Sequence, residues 1–497
     1  MEYGLSWVVG VVVFVGICGG GVVVAGLKWL LRSVNWWLYE AKLGEKRYSL
    51  PPGDMGWPFI GVMWSFLRAF KSNDPDSFIS SFVTRFGRTG LYKAVMFGNP
   101  SIIVTTPETC KRVLTDDEYF KPGWPTSTIE LVGKKSFIGD ITFEEHKRLR
   151  KLTAAPVNGH ESLSIYMRYI EENVKSNLEG WSGMGQIEFL TKLRKLTFRI
   201  ITYIFLSAES ELVIEDMERE YTAFNYGVRA MAINLPGFAY HKALKARKKL
   251  VAILQSVVQK RRQRRKNDPP TSKKDMMDAL LDVKDENGKS LDDEEIIDIL
   301  IMYLNAGHES SGHVTMWATL LLQDHQEMFQ RAKAEQEAIV KNMPPTQKWL
   351  TLNEYRQMEY LSKVIDETLR VVSFSLMVFR EAKAMSIYVV SLYIIVILFP
   401  RDGKFWFGLG VCTSTLKSTL TRWDLLPKQE LFFLLEQEAG CALEMILRSL
   451  KLLFFYTIFF LIMSEFERLN PGCPIMHLPH PRPVDNCLGR IRRVSHL

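Results

Sequence analysis

Glu309 and Ser310 put a carboxyl beside a hydroxyl just after the small pair Ala306-Gly307. An acid next to a hydroxyl can pass protons to a reacting group. Small residues one step earlier let a flat ligand approach the backbone. A plain buried helix with a few polar residues would show the same letters. His308 and His313 add two imidazoles, but five residues apart they share one helix face poorly, so a metal site on them is the weaker reading.

Three other groups of residues could bind or brace something. Glu367 and Arg370 stand three apart and can form a charge pair, which by itself is a routine helical i,i+3 contact. Phe379-Arg380-Glu381 supplies another cation shortly after. His146 and Arg150 lie one helical turn apart in a charged stretch, so both can face one ligand, although such faces are commonly only solvated. Cys18, Cys110, Cys412, Cys441, Cys473 and Cys487 are widely spaced and form no C-x-x-C. That spacing argues against a disulfide scaffold and against structural zinc, and fits a reducing, cytosol-facing setting.

These residues need elements to position them. Ile296, Ile297, Leu300, Ile301 and Leu304 recur at helical spacing and lead into Ala306. Met358, Leu361, Val364, Ile365 and Leu369 mark the apolar stripe of a helix carrying Glu367 and Arg370. Thr142 to Leu152 reads as the charged helix holding His146 and Arg150. Gly90-Leu91-Tyr92 and Ser101 to Thr105 read as short strands about a turn at Gly98-Asn99-Pro100. Asn267 to Asp293, with Pro269-Pro270 and many acids, reads as an exposed linker.

Leu5 to Leu27 has no charged residue, long enough for a helix that needs ~20 apolar residues to span a bilayer. Lys28, Arg32, Lys42, Lys46 and Arg47 follow, while only Glu2 precedes. The positive-inside rule then places the body in the cytosol, on a retained anchor rather than a cleaved signal. The prolines and glycines of Leu50-Pro-Pro-Gly53 and Gly56-Trp-Pro58 make 28–58 a basic, stiff joint. A net charge of +8 is mild for 497 residues. The basic run Lys260 to Lys266 has no interleaved aromatics, so nucleic acid is not expected as a partner.

Taken in order, these motifs resemble a plant cytochrome P450. Longer strings are more specific: Leu50-Pro-Pro-Gly-Asp-Met-Gly-Trp-Pro58, Glu144-Glu-His-Lys-Arg-Leu-Arg150, Ala306-Gly-His-Glu-Ser-Ser-Gly-His313, Phe379-Arg-Glu-Ala-Lys383 and a tail with Leu478-Pro-His480 and Asp485-Asn-Cys-Leu488. They look like the ent-kaurenoic acid oxidases, and related triterpene oxidases share many of them. The resemblance implies a mainly α fold with small β-sheets and a b-type haem on a cysteine thiolate. It implies a haem-thiolate monooxygenase, dependent on oxygen and NADPH, that oxidises a diterpenoid in gibberellin biosynthesis. NADPH-cytochrome P450 reductase would be the partner, and the endoplasmic reticulum membrane the location, with a single span and a cytosolic body. By the same resemblance Arg150 and Arg380 hold haem propionates, with His146 in a place where many relatives carry Trp. Ala306-Gly307 lines the oxygen-binding helix, Glu309 and Ser310 handle protons at bound oxygen, and Glu367 with Arg370 braces the haem loop.

The match runs through the body, 59–383, and returns in the tail, 465–497, but fails over 384–464. The expected F-x-x-G-x-R-x-C-x-G loop is absent. Gln429 to Ile446 is what a relative's haem-loop codons give when read one base out of register, and Phe399 to Leu416 shows the same behaviour. Cys441 thereby stands one place before the ligand position, without the glycine turn that would expose its sulfur. A shifted or intron-retaining reading frame and a genuinely decayed gene both give this string. Without a thiolate and its hydrogen-bonded loop the iron loses its anchor and its electron push. Three readings follow: an oxidase by descent, a non-enzymatic membrane-anchored relic, and a multi-span protein using the apolar runs at 386–399 and 452–463.

Overall fold

A computed structural model gives the structure of the protein. It describes residues 23, 25–27, 29–41, 50–72, 74–116, 118–136, 141–158, 160–228, 230, 232–267, 275–372, 377–383, 393–397, 452, 455–461, 463–477 and 480–493. Two compact units are present, Met1–Gly123 with Phe379–Ile397, and Trp124–Val378 with Leu398–Leu497.

In the first unit, helices α1 (Met63–Lys71) and α2 (Asp76–Phe86) precede the hairpin β1 (Leu91–Met96) and β2 (Asn99–Val104). Helix α3 (Pro107–Thr115) and strand β3 (Phe120–Pro122) follow. The sheet order is β1-β2-β6-β5-β3, where β5 is Met377–Ala382 and β6 is Tyr393–Ile397. The hairpin turns earlier than the sequence suggests. Met96 pairs with Asn99, so the two-residue turn is Phe97-Gly98, with φ of 52° and 81°. Positive φ at both central positions is the type I′ geometry that matches strand twist, and a phenylalanine accepts it here. Strand β6 runs parallel to β2, Ser101 opposite Tyr393, so the apolar run beyond Lys383 contributes a sheet strand. The proline-rich segment lies along β1. Lys93 N–H donates to Pro52 O at 3.1 Å, and a Cβ on Gly53 would sit 2.1 Å from Lys93 O.

The second unit is helical. Its elements are α4 (Thr126–Val132), α5 (Phe143–Asn158), α6 (His160–Ser182), β4 (Ile187–Glu188), α7 (Phe189–Leu206) and α8 (Ser210–Val228). Then come α9 (Ala239–Asn267), α10 (Met276–Asp282), α11 (Asp293–Gly307), α12 (Glu309–Asp324) and α13 (Gln326–Lys341). Helices α14 (Leu352–Gln357) and α15 (Glu359–Val371) precede the tail strands β7 (Met463–Arg468), β8 (Ile475–Met476), β9 (Arg482–Pro483) and β10 (Leu488–Arg493). Among the described residues no helix is long and apolar enough to cross a membrane; most of Leu5–Leu27 lies outside them.

Two stretches differ from their sequence reading. The acidic segment after Asn267 is not simply a linker. Met276, Met277 and Leu280 of α10 are buried, and Arg148 on α5 binds Asp285 at 2.9 Å and Glu295 at 3.0 Å. The basic run on α9 is satisfied internally. Buried Arg261 pairs with Asp275 at 2.6 Å and Glu209 at 2.7 Å, and Arg265 pairs with Asp278 at 2.8 Å. The partners lie 14, 52 and 13 residues apart, separations that give no hint in the sequence of such pairing.

The aberrant segment also reaches the core. Residues 455–461 form a helix, and Phe455, Tyr456, Phe459 and Phe460 are buried. A helix that is apolar all round is stable only inside a protein. Tyr456 Oη donates to Thr315 O at 2.7 Å, and Thr457 Oγ1 donates to Gln336 Oε1 at 2.6 Å.

Candidate active site

Helices α11 and α12 are one helix with a fault at its middle. Asp292 starts it with a capping box, its side chain accepting from Glu295 N–H while Glu295 accepts from Asp292 N–H. At His308 the regular ladder breaks: Gly312 N–H reaches His308 O only at 3.4 Å. Thr197 on α7 inserts there, its Oγ1 3.2 Å from His308 O and 3.0 Å from His308 Nδ1. Side-chain insertion into a helical ladder is a recognised cause of a kink. Just after it, Ser310 Oγ donates to Ala306 O at 2.8 Å and Ser311 Oγ to Gly307 O at 2.9 Å. Both hydroxyls bond back to carbonyls of the preceding turn.

Glu309 is the buried charge at the fault, 3% exposed. Its Oε1 accepts from Arg194 Nη2 on α7 and from Asn225 Nδ2 on α8 at 3.0 Å. His308 Nε2 lies 3.9 Å from Oε1, and His313 Nδ1 lies 3.6 Å from Oε2. His480 of the tail faces His313, ring centres 5.0 Å apart. Burial pushes the Glu309 carboxyl up, but the positive groups around it, His308 and Arg194 foremost, hold it down at about 2. Burial also pushes His313 down to about 4, against the pull of Glu309. His313 is therefore neutral at neutral pH, its Nδ1 donating to Glu309 O at 2.8 Å. That leaves Arg194 as the permanent cation opposite Glu309.

The carboxylate and the hydroxyl thus adjoin in sequence but are held differently. Glu309 is bound by side chains of α7 and α8, while Ser310 bonds back to its own helix. Sequence reasoning missed Arg194, Thr197, Asn225 and His480. Arg194 sits in Lys192-Leu-Arg-Lys195, which reads as an ordinary solvated face.

The remaining site residues fall in separate elements. His146 and Arg150 are half-buried on α5. Arg380, in the first unit, is 1% exposed, and its Nε and Nη2 donate to Val113 O and Leu114 O, each at 3.3 Å. A guanidinium at the carbonyl end of α3 is favoured by the helix dipole. Glu367 lies on α15; the side chain of Arg370 is outside the described residues. So is Cys441.

The profile of the Cytochrome P450 family matches residues 51–388. The chain belongs to that family, and through it to the monooxygenases. The profile stops close to Lys383, where the sequence leaves the family pattern. Ent-kaurenoic acid oxidase 1 of Arabidopsis thaliana is 60% identical over 471 residues, covering 94% of this chain and 95% of that protein. Ent-kaurenoic acid oxidase 1 of Hordeum vulgare is 48% identical over 512 residues, covering 100% of this chain and 99% of that protein. The 7,8-epoxymelianol synthase of Ailanthus altissima is 46% identical, covering 100% of this chain and 98% of that one. Among solved structures, retinoic acid-bound cyanobacterial CYP120A1 shares the fold, with a TM-score of 0.72 and 23% identity over 90% of this chain and 99% of that one.

Membership implies haem, a small-molecule substrate and a redox partner. The described residues fit the group only in part. His146, Arg150 and Arg380 are of the type that holds propionates. The described cysteines, Cys110, Cys473 and Cys487, are buried thiols, and burial pushes Cys110 and Cys487 up to about 12. None of the three stands in an F-x-x-G-x-R-x-C-x-G loop, the setting the axial position needs.

Proposed function

We propose that this chain is, by descent, an ent-kaurenoic acid oxidase: a monooxygenase that oxidises a diterpenoid acid stepwise toward gibberellin, with electrons from NADPH-cytochrome P450 reductase. The 60% identity to the Arabidopsis thaliana enzyme across nearly the whole of both chains carries the reading. Residues 5–27 anchor it in the endoplasmic reticulum membrane with the body in the cytosol, supported by the uncharged run and the basic residues after it. A bound haem would supply oxygen activation. This chain's own part is to hold a carboxylate, Glu309, at the helix fault.

Product analysis with the reductase, ent-kaurenoic acid and a triterpenoid competitor tests the substrate. The protein for this assay is made from a transcript carrying the intact cysteine loop. Consumption of the diterpenoid is expected, and turnover of the triterpenoid alone would transfer the chain to the class of the 7,8-epoxymelianol synthases.

The chain as written supports a second reading, a membrane-anchored relic. It rests on the missing cysteine loop. A carbon monoxide difference spectrum of the reduced full chain separates the two. No thiolate-type band is expected, and its appearance would sink the relic reading.

A further inference from the structure

Cys473 and Cys487 stand at the two ends of one loop in the tail. Between them run β8 and β9, with Ile475 opposite Pro483 and Met476 opposite Arg482. The same register carries Cys473 opposite Asp485, and Asp485 N–H donates to Cys473 Sγ at 3.4 Å. Val484 N–H donates to Pro474 O at 3.0 Å, so the loop is closed at its base. Asn486 and Cys487 then turn the chain toward β10 at φ of 55° and 61°. That region is uncommon for a cysteine. The turn is held by Cys487 N–H donating to Asp485 Oδ1 at 2.9 Å. Both cysteines thus meet on Asp485, Cys473 8% exposed and Cys487 0%.

A cation lies beside the pair. Burial, foremost, pushes the Cys487 thiol up, while Arg468 of β7 pulls it down and Asp485 and Cys473 add to the rise. Arg468 Nε and Nη2 are buried and, among the described residues, have no hydrogen-bond partner. A cation next to a cysteine is the setting that favours its thiolate. The loop also bears on the site helix. His480 faces His313, ring centres 5.0 Å apart, and Trp317 Nε1 of α12 donates to Pro481 O at 2.8 Å.

We infer that Cys473 and Cys487 are a redox pair that closes to a disulfide across the base of this loop. The wide spacing of the six cysteines hides the pair, because the β8–β9 register makes it. At rest both are thiols, and the oxidant is a small disulfide of the glutathione class. Cys473, the less buried, loses its proton and attacks one sulfur of glutathione disulfide, which releases one glutathione. The Cys487 sulfur then attacks Cys473 Sγ and releases the second. Two thiols are oxidised to one disulfide, one glutathione disulfide is reduced, and the two protons end on the two glutathiones. The bridge holds the loop, with His480 and Pro481, against α12. Neither haem nor substrate enters the step.

The folded full chain, incubated at graded ratios of oxidised to reduced glutathione, alkylated and cut with trypsin, tests the pair. Arg482 precedes Pro483, so both cysteines stay in one peptide, Leu469 to Arg490. That peptide is expected to become unalkylated and lighter by two hydrogens, dithiothreitol to reverse the change, and Cys110 to stay a thiol. In the oxidised chain, hydrogen exchange at the Val484 amide is expected to slow by roughly tenfold, because the loop no longer opens at its base. Cys473→Ser should abolish both changes. Two alkylatable thiols at every ratio overturn the inference. So does glutathione retained on either cysteine without an internal bridge, and so does a bridge that forms only after urea has unfolded the chain.

Discussion

Arg194 on α7 and Glu309 on α12 form an ion pair at the helix fault, the guanidinium Nη2 on carboxylate Oε1. The arginine is 25% exposed and the glutamate 4% at the side chain, so the negative charge is the one that cannot reach water. Asn225 adds a neutral donor from α8 at 3.0 Å, so helices α7, α8 and α12 meet on one carboxylate.

Removing the cation while leaving the buried charge is costly. Arg194→Gln is expected to destabilise the protein by about 3 kcal/mol, read by urea unfolding. Replacing both partners, as in Arg194→Met with Glu309→Met, should recover most of that loss, because no charge is left buried. A single variant with unchanged stability would show the pair to be a surface contact.

Glu309 makes stability depend on acid. Its folded pKa, about 2, lies below the ordinary 4.5. Its contribution is therefore full above about pH 4.5 and lost as pH falls toward 2. Glu309→Gln should flatten the unfolding-midpoint curve in that window, and a parallel curve would contradict the assignment.

His313 acts over a higher window. Burial holds it at about 4 instead of 6.5, so between those values the unfolded chain takes up a proton that the folded chain refuses. Stability should fall as pH drops from 6.5 to 4 on this account, and His313→Asn should remove that part of the slope. The groups facing it, Glu309, Arg194, Arg482 and His480, stay in place in the variant.

The basic run on α9 invites a test of structure against surface chemistry. Arg261 is buried with Asp275 and Glu209, whereas Arg264 is 71% exposed. Arg261→Gln should cost about 3 kcal/mol, and Arg264→Gln should stay within about 0.5 kcal/mol. Equal small effects would return the run to a solvated face.

The architecture was legible where periodicity was strong. The stripe Ile296 to Leu304, the helix with Glu367 and the charged helix with Arg150 all fold as read. The sequence singled out Glu309 and Ser310 but carried no sign of the network around the carboxylate. Arg194 and Asn225 come from distant helices, and i,i+3 or i,i+4 spacing carries no information about such partners. The turn at Phe97-Gly98 was misplaced because a phenylalanine at positive φ has no sequence signal. The linker reading failed at α10, where Met276, Met277, Ala279, Leu280 and Leu281 are buried on a helix too short to show a period.

Helix 455–461, inside the stretch where the family pattern fails, is the sharpest case. An apolar string needs no evolved pattern to be buried; it needs length and a cavity. Phe459 is 1% exposed and stacks with Phe455, centroids 5.8 Å apart. Phe460 meets Phe329 of α13 at 5.1 Å. If the segment is core, Phe459→Ala should destabilise by about 3–5 kcal/mol. Tyr456→Phe removes a donor that bonds to Thr315 O and lies 3.0 Å from Thr319 Oγ1, and should cost about 1 kcal/mol. Urea unfolding of both variants checks this. Were the segment a loose insertion, the phenylalanine change would be neutral, because a side chain that packs against nothing leaves no cavity when truncated.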